Sequence, residues 1–246
     1  MAIQVKVVVQ LLILIVIATA VRLYFLSWHD ALKRDSITYL ELADGIAAFP
    51  EGEAAPFKHI SPRLAPYLWL LSRGKVWFHI DNERWGVILS CIFGILTVPL
   101  VYALFATLFD DFNGAFVAGA AAAVHPALVE YSTQVLREAV YLFFVTAGLL
   151  FFIRAVRRRN LLSLVLCGLT ILLAAMCRTE GCEFAFLFLA FICIRGFDRP
   201  ERKTSLLQGE VLSATLLAGL IFWEMWLRWM GCSQTILSYI AMHARF

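Results

Sequence analysis

Charge is scarce in this chain. Asp, Glu, Lys and Arg make up only 16% of its 246 residues, against 61% hydrophobic ones, and the mean hydropathy is +0.80. A water-soluble domain of this length has too little interior to hide that much apolar surface, so a soluble globular fold is excluded and the bilayer acts as solvent. The net charge of +3 is small, with basic residues placed rather than massed, and gives no basis for a nucleic-acid partner. Internal repeats, low-complexity stretches and flexible linkers are absent, so residues 1–246 read as a single membrane domain. No small-residue cleavage pattern follows the first apolar run, which reads as a retained helix and not a removed signal peptide. The six cysteines form no zinc spacing. Cys91, Cys167 and Cys193 lie inside apolar runs as small hydrophobes, whereas Cys177, Cys182 and Cys232 lie near outer turns, where a disulfide among them is open in an oxidising compartment.

What the chain does have is long apolar runs. A hydrocarbon core about 30 Å thick needs roughly 20 apolar residues per helix. Val7–Leu26, Trp85–Leu108 and Val211–Met230 meet this directly. Ala115–Val129, Ala139–Ile153, Leu161–Met176 and Phe184–Ile194 are shorter and span only with help from the polar residues beside them. The fold class expected is therefore an all-α polytopic membrane protein of about seven transmembrane helices. Its first extracytoplasmic loop is long, residues 28–84, and carries two short juxtamembrane helices, over Ser36–Phe49 and from Arg63 through Lys75. Lys6, the Arg154–Arg159 cluster and the Arg195–Lys203 cluster alternate onto one face, which the positive-inside rule makes cytoplasmic. The N-terminus is then cytoplasmic. The long loop, the turn at His125-Pro126 and the turn at Arg178 lie outside, and a bacterial inner membrane is the default.

Polar residues gather on that outer side. Asp35 follows the first span in Lys33-Arg34-Asp35-Ser36, and a carboxylate at the mouth of a helical bundle can serve as a base on one side of the bilayer only. It would equally suit the N-cap of a helix starting at Ser36. Arg178, at the end of a short span, offers a planar fork of donors suited to phosphate, although a terminal arginine also snorkels. Glu180 lies two residues on and does not share a helical face with Arg178, and could instead order the turn or accept from a sugar hydroxyl. Glu138 opens the fourth span, where a carboxylate is favourable at any helix N-terminus. Arg137 points about 100° away from it and could meet a phosphate. His59 and Arg63, with Lys58, form a basic group that fits an anionic ligand or a lipid headgroup alike. His125 beside Pro126 fits a hydrogen-bonding or a structural role.

Arg22-Leu-Tyr followed by Asp35-x-x-x-Tyr39-x-x-Leu42-Ala43 resembles the opening of the GT-C membrane glycosyltransferases, in the aminoarabinose-transferase and protein O-mannosyltransferase-like branch. His125-Pro126 with Tyr131-Ser132, Leu136-Arg137-Glu138-Ala139, and Cys177-Arg178-Thr179-Glu180-Gly181 are similar to its later landmarks, in the same order. The resemblance implies an inverting transfer of sugar from a polyprenyl-phosphate donor to an acceptor of unknown class on the extracytoplasmic face. Asp35 is then the catalytic base and Glu138 a second catalytic acid group. Arg178, Arg137, Glu180, Tyr39, His59, Arg63 and His125 would bind substrate. No cofactor is implied. The pair Asp35-Ser36 replaces the family's paired acids and weakens the case for a divalent metal, since hard cations prefer several oxygens.

Full-length relatives usually continue into more helices or an outer domain, so this chain is a minimal core, a fragment, or a core that needs a partner subunit. Three rival readings stand beside this one. The first is a non-catalytic polyprenyl-lipid-binding or scaffold subunit of a glycan-assembly complex. A transporter would place its ionisable groups nearer mid-membrane. A peptidase using Cys232 and His243 rests on a lone cysteine with a distant histidine.

Overall fold

In the computed structural model the described residues are 2–28, 32–48, 60–197 and 202–232. They form ten helices and, among these residues, no strand. The first apolar run folds as α1, Ala2–Leu26. Two short helices follow, α2 over Arg34–Ala48 and α3 over Ala65–Phe78. Then come α4, Asn82–Phe109, α5, Phe112–Val124, and α6, Pro126–Ser132. The chain finishes with α7, Arg137–Arg158, α8, Leu161–Cys177, α9, Gly181–Gly196, and α10, Arg202–Trp229.

Local chemistry places the ends. The Asp111 carboxylate accepts from the Asn113 amide at 2.9 Å to start α5, and Asn160 accepts from the Leu162 amide at 2.9 Å to start α8. Pro66 and Pro126 occupy the first turns of α3 and α6, where no intrahelical donor is lost. Asp35 falls in the first turn of α2, which begins one residue before it. The alternative reading of Asp35 as the N-cap of this helix is corrected accordingly.

Four helices are long and apolar enough to cross a membrane alone: Gln4–Leu26, Asn82–Phe109, Arg137–Arg158 and Lys203–Trp229. A fifth crossing exists if α5 and α6, bent by 56° at His125, count as one span. The expected third span is thus a broken helix, because His125 turns to extended backbone and Pro126 disfavours helical backbone in the residue before it. At 17 and 16 residues, α8 and α9 are short for a full crossing, which is where the count falls below seven. The protein is a multi-pass membrane protein. Large apolar side chains such as Leu12, Val16, Phe186 and Phe222 face outward from α1, α9 and α10, as lipid contact requires.

Helix α7 packs mainly on α8 and α4. At one end of the bundle Arg157 of α7 closes the α4–α5 turn, donating to the Thr107 and Leu108 carbonyls and pairing with Asp110. The opposite end gathers α2, α3, the α6–α7 turn and the α8–α9 turn. Asp44 of α2 accepts from Lys75 of α3 at 3.2 Å and from Asn82 of α4 at 3.1 Å, which binds the two short helices to the bundle. All six cysteines are free thiols, so no pair among Cys177, Cys182 and Cys232 is a disulfide.

Candidate functional site

The α1–α2 connection is anchored before it reaches Asp35. The Lys33 ammonium pairs with Glu130 of α6 at 2.7 Å, and the Lys33 amide donates to the Gln134 side chain at 3.2 Å. Lys33 also lies over the Tyr131 ring, 5.6 Å from its centre. Two residues later Asp35 sits exposed at the start of α2, and one turn further Tyr39 is buried at 6% exposure. The Tyr39 ring meets Tyr67 of α3 edge-on, with centroids 5.5 Å apart.

Arg178 is the hub. It leaves α8 in extended backbone, so its side chain turns back over the start of α7. Its Nη1 donates to Glu138 at 2.8 Å, while Nη2 and Nε both donate to Glu180, at 2.7 and 3.2 Å. The guanidinium also lies 5.8 Å from the Tyr141 ring centre. Three of its five N–H groups are engaged in these bonds. The Arg178 donors hold the Glu180 carboxyl at about 2, well below the ordinary carboxylate range, and Glu180 in turn raises the Arg178 guanidinium. The sequence-based separation of Glu180 from Arg178 is therefore corrected. Residues 178–180 form a turn between helices, where helical-face spacing has no meaning.

Arg137 stands beside this pair and donates to the Cys177 carbonyl at 3.0 Å. Burial is the first cause that raises the Tyr39 phenol, and the charges of Arg137, Glu138, Asp35 and Arg178 all act on it. Residues from α2, α7 and the α8–α9 turn thus share one electrostatic neighbourhood. Three of its buried polar atoms have no hydrogen-bond partner among the described residues: Tyr67 Oη, Arg137 Nε and Glu138 Oε2. Such atoms carry a desolvation cost that a bound ligand or water can relieve.

Next to this patch runs an apolar groove of about 290 Å³. Tyr67, Phe93, Phe144, Leu173 and Trp226 line it, together with Cys177, the residue before Arg178. A larger cavity of about 700 Å³ lies between α9 and α10 at the other end of the bundle and holds none of the expected site residues.

Not every expected residue joins the cluster. His125 is exposed at the α5–α6 break, and no bond ties it to Arg178; its carbonyl accepts from the Val129 amide at 3.0 Å. Arg63 is exposed in the turn before α3. His59, with Lys58 and His243, lies outside the described residues.

Two residues escaped notice as site-builders. Tyr67 had no signal beyond its place after Pro66. Arg22 did have one, a cation at the end of an apolar run, which in a membrane marks a satisfied interior group. It is 1% exposed and donates to Ser132 Oγ at 2.8 Å and to the Ala18, Gly94 and Ala123 carbonyls at 3.0, 3.2 and 3.3 Å. It thereby joins α1 to α4 and to both halves of the broken helix.

Comparison with known proteins adds two findings. A family model described as dolichyl-phosphate-mannose-protein mannosyltransferase matches residues 67–240, more than half of the chain. Protein O-mannosyl-transferase 1 of Danio rerio is 25% identical over 230 residues, covering 88% of this chain and 32% of that relative. The chain therefore spans about a third of the relative's length. The family match takes in Tyr67, Arg137, Glu138, Arg178 and Glu180, and begins after Asp35 and Tyr39.

Proposed function

Because the chain belongs to the dolichyl-phosphate-mannose-protein mannosyltransferase family of GT-C membrane glycosyltransferases, we propose that it transfers a sugar from a polyprenyl-phosphate carrier to an acceptor at the Arg178 cluster. The observation that carries this reading is a juxtaposition. Cys177 lines an apolar groove, and the next residue, Arg178, is the centre of an ion-pair cluster with Glu138 and Glu180. A lipid-linked sugar phosphate has the same division, an apolar chain joined to an anionic head. The prenyl chain lies in the groove and the phosphate meets Arg178 and Arg137.

In the proposed step Asp35 takes the proton from the acceptor as its heteroatom attacks the anomeric carbon. The bond from that carbon to the phosphate oxygen breaks, its electron pair leaves with the polyprenyl phosphate, and the configuration inverts. Arg178 stabilises the charge that grows on the leaving phosphate, as a preorganised cation does without reorganisation during the reaction. Glu138 and Glu180 hold the guanidinium in one orientation. Tyr39 walls the space between Asp35 and this ion cluster. In this reading α8 and α9 also cross the membrane, making seven spans, and the site faces the extracytoplasmic side, in keeping with the placement of the basic loops.

The test is turnover of dolichyl-phosphate-linked sugars by the purified chain in lipid, with wild type beside Asp35→Asn. The wild type should release carrier phosphate, and the variant should lose about 10²–10⁴ in rate. Full transfer by a folded Asp35→Asn protein removes Asp35 from the mechanism. Donor binding with no turnover by the wild type favours a lipid-binding scaffold.

A further inference from the structure

Tyr67 is 2% exposed, and its hydroxyl has no hydrogen-bond partner among the described residues. A tyrosine so buried usually finds one. Its ring is fixed edge-on against Tyr39, and its side chain forms part of the wall of the apolar groove, with the hydroxyl itself buried. Cys177, another wall residue of the groove, immediately precedes Arg178, and its carbonyl accepts from Arg137 at 3.0 Å, so the groove borders the polar cluster. Arg137 Nε, in the same patch, is a second buried donor without an acceptor. Two unfilled donors beside the Arg178 cluster call for an acceptor oxygen.

We infer that Tyr67 is a further donor-binding residue, whose hydroxyl donates to a phosphate oxygen of the lipid carrier where the prenyl chain passes into the Arg178 cluster. This rests on the proposed function and deepens it. The contact reads the head of the lipid and leaves the chain unread, so Tyr67 separates a polyprenyl phosphate from the corresponding neutral alcohol. It also makes an unusual statement about the empty protein. A hydroxyl buried without a partner destabilises the fold that carries it, so its removal relieves a cost that ligand binding would otherwise relieve.

The experiment uses the whole chain in nanodiscs, as wild type and as Tyr67→Phe, with dolichyl phosphate and dolichol titrated in parallel and thermal unfolding recorded without ligand. The expected result is binding of dolichyl phosphate weakened roughly 10- to 100-fold in the variant, the range for one lost hydrogen bond to an ion. Dolichol binding should be unchanged, and the ligand-free melting temperature equal to or above that of wild type. Equal affinity of both proteins for dolichyl phosphate overturns the role of Tyr67 alone. Parallel loss of dolichol binding, or a lowered ligand-free melting temperature, also overturns it, by showing an ordinary packing role. A folded wild type that binds no dolichyl phosphate overturns the donor reading itself.

Discussion

At Arg22, keeping the charge should do more harm than removing it. The guanidinium makes four hydrogen bonds spread over three directions, to α1, to α4, and to the two arms of the broken helix α5–α6. Arg22→Met removes all four, yet strands little. Ala18 and Gly94 lie inside helices whose own ladders already use their carbonyls. Ser132 Oγ keeps its bonds to the Leu128 and Val129 carbonyls at 2.7 and 2.9 Å. Only the Ala123 carbonyl, at the end of α5, loses a partner it cannot replace within its helix. One stranded carbonyl costs about 1–3 kcal/mol, and release of the cation from burial offsets part of the lost bonding. Arg22→Lys keeps the buried charge, but a compact ammonium cannot reach acceptors that a planar fork spans. A buried charge stripped of its partners costs about 3–5 kcal/mol. Unfolding of both variants in mixed micelles, followed by tryptophan fluorescence, gives the order directly. A lysine variant as stable as wild type, or more stable than the methionine variant, would refute the view that Arg22 acts through its fork and not through its charge.

Two further outcomes follow from the α8–α9 turn. A Cβ at Gly181 would lie 2.5 Å from the Ala175 backbone nitrogen, and backbone cannot give way as a side chain can. Gly181→Ala should therefore cost about 1–3 kcal/mol and reduce transfer by shifting Arg178, whereas Gly45→Ala, exposed in α2 with nothing within 4 Å, should raise stability by roughly 0.5–1 kcal/mol. The second concerns pH. Glu180 titrates near 2 when folded, against an ordinary 4.5, so its contribution is complete above about 4.5 and fades as pH falls toward 2. The stability gap between wild type and Glu180→Gln should be constant near neutrality and close over that acid window. With the carboxylate 44% exposed, solvent screening holds the gap to about 1 kcal/mol or less, and a gap that widens on acidification contradicts the pairing.

Apolar runs made the helices legible, because a bilayer demands length and hydropathy that few other patterns supply. Helical spacing was enough to expect the two short helices after the first span, and Pro126 to expect the turn before α6. The candidate site was less open to reading. Glu138, Arg137 and Arg178 were visible as polar residues at span ends, but the Arg178–Glu180 bond was not. Face geometry applies to helices, and residues 178–180 are a turn. The Arg22–Ser132 bond joins residues 110 positions apart, a distance over which no local pattern carries information. Tyr67 matters because its hydroxyl lacks a partner among the described residues, and a missing bond leaves no mark on a sequence. The span count differs for a simpler reason: α8 and α9 end after 17 and 16 residues, at Arg178 and the turn after Gly196.

The clamp around Arg22 also sets an order of events in time. Its partners Ala123 and Ser132 emerge 101 and 110 residues after it. At about 5–20 residues per second, the ribosome makes them roughly 5–20 seconds later. For that interval α1 carries a cation whose most distant acceptors do not yet exist, so its end must stay near water or be sheltered by insertion machinery. Helix α1 then enters the bilayer ahead of α4, α5 and α6, yet reaches its final place only with them. A ribosome stalled before Ala123 should hold α1 loosely, and one stalled beyond Ser132 and its exit-tunnel length should hold it fast.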